Sequence, residues 1–176
     1  MNMSHIRSAL AVMVLVAASS ACHEQPKEKA SNAAMAQSKP ADESEVRTDV
    51  VALARMISLP REPRSVKWQT TKGHRDDWAL TALLEFAPED LSAIVAESQQ
   101  LNGTAHISQK FTPWFPDDFR AAHAGLPVRP DGIIEFADGA RIRPTSFTAA
   151  KLSPLKHGIV EVFEKEGLAF VHLYTM

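Results

Sequence analysis

From His23 to Asp49 the chain reads HEQPKEKASNAAMAQSKPADESEVRTD, with no aromatic residue and almost nothing large and apolar. A segment of this composition cannot bury enough surface to offset the entropy lost on ordering. Residues 22–48 are therefore read as a flexible tether. The alternative is a solvated helix in KEKASNAAMAQ, since Ala, Lys and Glu are good helix formers. In either form the segment is a spacer. A core has to come from residues 49–176, about 125 positions, which suits one domain.

Ahead of the tether, Arg7 gives the N-terminus a positive charge and Ser8–Ala18 is an uncharged apolar run, SALAVMVLVAA, followed by Ser19, Ser20 and Ala21. This is the layout of a secretory signal peptide over residues 1–21. The run is short of the ~20 apolar residues that a membrane span needs. Ser19 and Ala21 suit the −3 and −1 positions of an ordinary signal peptidase site. The next residue is Cys22, the one cysteine of the chain, so no intramolecular disulfide can form. A single cysteine in an exported protein is otherwise a reactive thiol or an intermolecular disulfide partner.

The ending SSAC resembles the lipobox of bacterial lipoproteins, with Ser19 where a Leu is more common. The resemblance covers about the first 22 residues. It implies a lipid on the Cys22 thiol, cleavage before it and acylation of the new amino terminus. It also implies outer-membrane placement facing the periplasm, because His23, and not Asp, follows the cysteine.

The remaining chain reads as α+β, an antiparallel sheet of hairpins packed against one main helix with further short helices. Val50, Leu53, Ala54 and Ile57 follow helical spacing, and Pro60 and Pro63 end that helix. In SVKWQTT, Val66, Trp68 and Thr70 share a face. In WALTALLEF, Trp78, Leu80, Ala82, Leu84 and Phe86 share another, and Leu83 on the reverse side points to a central strand. The two should pair as a hairpin through KGHRDD. The main helix starts at Pro88, with Glu89 and Asp90 at its positive end. It buries Leu91, Ile94, Val95 and Ser98, and Asn102–Gly103 stops it. A short helix is expected from Pro116 to His123. IIEFADGARIRP reads as a hairpin about Asp138-Gly139, although Ile134 and Phe136 would then share a side with Arg141 and Arg143.

The C-terminal GIVEVFEKEGLAFVHLYTM reads as a hairpin with Glu166-Gly167 as its turn. That register gathers Val160, Val162, Ala169, Val171 and Leu173 on a core face, and alternation makes register a strong constraint. It also sets Glu161 opposite His172, framed by Phe163, Phe170 and Tyr174. The pair is a candidate general acid/base couple, or an ordinary cross-strand pair.

The familiar catalytic patterns GxSxG, HExxH, the P-loop and GxGxxG do not occur. No two histidines stand three or four apart, so no metal and no cofactor are expected. His74 with Asp76 and Asp77 forms a loop cluster, read as a polar hairpin connection. Asp117 and Asp118 read as helix N-terminal residues. A Ser-His-Asp site drawn from distant segments remains open, since such sites are defined by geometry. Trp114 and Phe115, if exposed, would form a recognition patch; the other reading places them in the core. The net charge of −2 and the lack of a basic, aromatic-interleaved patch argue against nucleic acid. The expectation is a membrane-anchored binding domain for an envelope protein or small ligand. The alternative is an envelope hydrolase with a dispersed site.

Overall fold

A computed structural model of the protein describes residues 45–73, 77–148 and 153–176. The first helix, α1 (Val50–Met56), begins at Asp49, whose side chain accepts hydrogen bonds from the Val51 and Ala52 amides at 2.9 and 3.3 Å. Capping of this kind satisfies amides that have no partner within the helix. Leu53 and Ile57 are fully buried, and Met56, not Ala54, completes the inner stripe.

Strands β1 (Ser65–Lys72) and β2 (Trp78–Glu85) form the expected antiparallel hairpin, in register from Ser65–Glu85 to Lys72–Trp78. On the open side of β1, the backbones of Arg47 and Trp68 exchange hydrogen bonds of 2.7 and 2.8 Å. The Arg47 guanidinium lies 5.0 Å over the indole. Ordered pairing thus reaches back to Arg47, just inside the segment read as tether.

The main helix, α2 (Pro88–Glu97), carries Pro at its start and buries Leu91, Ile94 and Val95. It stops short of Asn102. Gln100–Leu101 leaves the helix as a short strand, β3, because it pairs with the sheet at Ile142 and Arg141. Then follow β4 (Ala105–Ser108), a 3₁₀ turn over Gln109–Trp114, α3 (Asp117–Ala122), β5 (Ile133–Phe136), β6 (Ala140–Ile142), β7 (His157–Phe163) and β8 (Leu168–Tyr174). Six strands join in the order β1-β2-β8-β7-β6-β3, every pair antiparallel; β4 and β5 form a separate two-stranded sheet. The described chain is α+β, as its pattern predicted.

The large sheet is covered on both faces. One face presents Trp68, Leu84, Val160, Val162 and Val171 to Leu53 of α1 and Leu91 and Ile94 of α2. The other presents Leu83, Phe163, Leu168 and Phe170 to the small sheet, the 3₁₀ turn and α3, through Ile107, Phe111, Phe115, Phe119 and Phe136. Trp114 and Phe115 are therefore core residues and not an exposed patch. Phe115 stacks on Phe119 at 4.6 Å between centroids and meets Phe163 edge-on at 5.9 Å, arrangements that aromatic quadrupoles favour.

Two readings of strand pairing are also corrected. IIEFADGARI is not a hairpin: β5 pairs with β4, whereas β6 pairs with β7. The Asp138-Gly139 turn hands the chain from one sheet to the other, which removes the conflict between apolar and arginine faces. Gly139 is needed there because a Cβ would collide with Ala105 and lie 2.8 Å from the Phe163 ring. The C-terminal turn also spans four residues, a 3₁₀ turn over Glu164–Glu166 closed by Gly167 at φ +69°. Gly167 bonds to Phe86 through its carbonyl, at 2.8 Å, and has no room for a Cβ beside the Phe86 carbonyl. The register therefore shifts by two, pairing Glu161 with Phe170 and Ile159 with His172. A two-residue shift preserves the faces, so the expected core face stands while Glu161 and His172 become diagonal neighbours.

Gly158, at φ +147°, holds β7 against β8 so closely that a Cβ would strike the His172 carbonyl oxygen. Gly158→Ala should cost about 2–4 kcal/mol in urea unfolding. Gly125→Ala, whose added Cβ meets nothing within 4 Å, should stay within about 0.5 kcal/mol.

Candidate functional site

Alternation along β7 and β8 turns Ile159, Glu161, Phe170 and His172 towards the small sheet. On β4, Ala105 and Ile107 enter the aromatic core, while His106 and Ser108 stay half-buried. Between these surfaces lies a cavity of about 280 Å³, completed by Lys110 and Phe111 of the 3₁₀ turn and Ile133 of β5. It has apolar walls and a set of convergent ionisable groups, the combination typical of small-molecule sites.

Glu161 is 2 % exposed. Its cross-strand neighbour on β6 is Arg141, whose Nε lies 3.3 Å from Glu161 Oε2. These two atoms are buried and make an ion pair without an aligned hydrogen bond. Burial pushes the carboxyl up to about 7, against the opposing pull of Arg141 and the His106 backbone amide. His172 is shifted the other way. Burial lowers its pKa, and the charge of Lys110 lowers it further. Its Nδ1 lies 3.1 Å from the hydroxyl of Thr81, its neighbour across β2. A carboxyl displaced upward and an imidazole displaced downward in one cleft mark a functional-site candidate on physical grounds.

The sequence-derived candidates divide. Glu161 and His172 line the same cavity, but the carboxylate engages Arg141 and the imidazole engages Thr81, so they do not form the expected direct couple. Arg141, Lys110, His106, Ser108 and Phe111 were missed, because they come from segments whose pairing is not local. Asp118 accepts a hydrogen bond from the Phe119 amide at 2.8 Å within the first turn of α3, and Asp117 pairs with Arg120. His123 serves a local set, its Nδ1 donating to the Phe119 carbonyl at 2.8 Å and its Nε2 lying 3.3 Å from Asp138. Cys22, His74 and Asp76 lie outside the described residues. Among the described residues, no three His, Cys, Asp or Glu side chains are grouped to hold a metal ion.

A second cavity, of about 330 Å³, lies beneath α3 and includes Phe115 in its wall beside Phe119 and Phe136. Comparison with protein-family models, curated proteins and solved structures finds no significant match. The reading of the site therefore rests on its own geometry.

The two displaced groups affect stability with opposite signs. Glu161 keeps its proton in the fold where the unfolded chain has lost it. Its contribution is complete below about 4.5 and is lost as pH rises towards about 7. His172 favours the neutral form, so its contribution is present above 6.5 and is lost as pH falls. From pH 5 to 8, wild-type unfolding free energy should decline by up to roughly 3 kcal/mol, offset in part by His172. Glu161→Gln should abolish the decline and leave the opposite slope, as measured by urea titration across that range.

Proposed function

We propose that the protein is an outer-membrane lipoprotein, held by a lipid on Cys22 and facing the periplasm, whose folded domain binds a small amphipathic ligand. The observation that carries the binding reading is the cavity beside β7 and β8, in which aromatic and aliphatic walls meet Glu161, His172 and Lys110. Its volume, about 280 Å³, falls just below the range usual for drug-sized ligand sites, about 300–1,000 Å³, so the ligand is smaller than a typical drug molecule. The anchoring reading is supported by the SSAC sequence and by a composition break at the start of the folded region. A lipid contributes about 0.8 kcal/mol per buried CH₂, and several chains together hold durably where one does not.

A hydrolase reading draws on Ser108 sharing the cavity with Glu161 and His172. It is the weaker reading, because a relay needs the carboxylate to orient the imidazole. Here Arg141 occupies the carboxylate.

Two experiments test these readings separately. Cys22→Ser should release the protein from membranes or leave it unprocessed; retention with normal processing would overturn the lipid anchor. For the ligand, native mass spectrometry of protein extracted from its own envelope should show an additional small mass. That mass should disappear in Ile159→Trp, which fills the cavity from its half-buried wall. A wild-type spectrum with the bare protein mass would count against the binding reading.

A further inference from the structure

We infer that the cavity receives a small carboxylate amphiphile, its head group held at the mouth by Lys110 and its hydrocarbon body lying against Phe111, Ile133, Ile159 and Phe170. This rests on the cavity being a ligand site and specifies the chemistry of what enters it.

The distribution of charge carries the inference. The acidic groups near the cavity are already engaged. Glu161 on β7 faces Arg141 on β6 at 3.3 Å. Glu135 on β5 faces Arg129 at 3.0 Å and His106 of β4 at 3.8 Å. Lys110 differs. It is exposed at the rim, its ammonium sits 4.8 Å from the centre of the Phe111 ring, and no carboxylate pairs with it among the described residues. Its field reaches into the cavity as far as His172. A cationic head group would meet Lys110 with Arg141 behind it. An anionic one meets an unclaimed ammonium at the mouth.

The walls fit the rest of such a molecule. Phe111 and Phe170 are buried side chains with their rings 5.2 Å apart, and Ile133 and Ile159 are half-buried on the facing strands. The ammonium over the Phe111 ring lies where the polar rim meets the apolar wall, so a single ligand can satisfy both.

The test compares hexanoate, hexanamide and hexylamine by isothermal titration against the full lipid-anchored chain in nanodiscs, with empty nanodiscs as blank. Hexanoate should bind and hexylamine should not. Lys110→Gln, a change at an exposed side chain, should weaken hexanoate about tenfold, as expected for one charge-assisted contact. It should leave hexanamide unchanged. Equal binding of hexylamine and hexanoate would overturn the inference, as would hexanoate binding indifferent to Lys110. So would the failure of all three probes. In each of those cases, a native ligand mass that Ile159→Trp removes would still uphold the cavity as a binding site.

Discussion

Strand β8 lies between β2 and β7, and both of its faces are covered. Ala169, Val171 and Leu173 pack towards the helices, and Leu168 and Phe170 pack towards the small sheet. From Leu168 to Val171 the strand has no solvent face to absorb an error. A slip of one residue would send Glu161 and His172 into the helical core and expel Val160 and Val171. Burying an aliphatic or aromatic side chain contributes about 1.5–3 kcal/mol, so such a slip would forfeit several of these contributions while stranding a carboxylate. Gly167 adds a second lock, since the Phe86 carbonyl leaves it no side chain. Pairing, face and turn agree on one arrangement, and the consistency of local and global preference is what gives a sequence a unique fold.

This two-faced construction creates the site. β7 carries Glu161 between Ile159 and Phe163 on the face that the β4–β5 sheet covers. The covering layer removes water from the carboxyl, and that desolvation is the leading cause of its raised pKa. Arg141 arrives on the neighbouring strand at the same level and limits the cost. The arginine compensates for burial only in part, because the pair is not aligned as a hydrogen bond. A fully satisfied ion pair would have held the carboxyl charged and inert. The incomplete one leaves it able to exchange a proton near neutrality.

Much of the fold was legible where alternation or helical spacing was strong. Val66, Trp68 and Thr70 on β1, the central character of β2 signalled by Leu83, and the start of α2 at Pro88 all follow from local pattern. The failures share one cause. Face patterns fix the parity of a strand pair and leave its even shifts open, so the C-terminal hairpin had the right faces and a turn two residues too short. The Asp138-Gly139 turn has the local chemistry of a hairpin, yet its flanking strands pair elsewhere. Only the close approach of Ala105 and Phe163 distinguishes the two outcomes, and both lie far away in sequence. Of the site, Glu161 and His172 were visible because both sit on one hairpin. Arg141 and Lys110 were hidden because β6 and the 3₁₀ turn reach the cavity through those non-local pairings.

The same geometry keeps the imidazole apart from the acid. His172 has a hydroxyl at Nδ1 and a cation nearby, both of which suit a neutral ring held in place. Relay chemistry would need a carboxylate at that nitrogen to stabilise the charged ring. The nearest candidate is Glu161, but it is diagonal to His172 in the register and occupied by Arg141. Turning it towards the imidazole would break the 3.3 Å ion pair and leave the guanidinium of Arg141 without its counter-charge. The register that makes the domain stable therefore also keeps the acid and the imidazole apart. They remain two separate polar contacts in one apolar cavity.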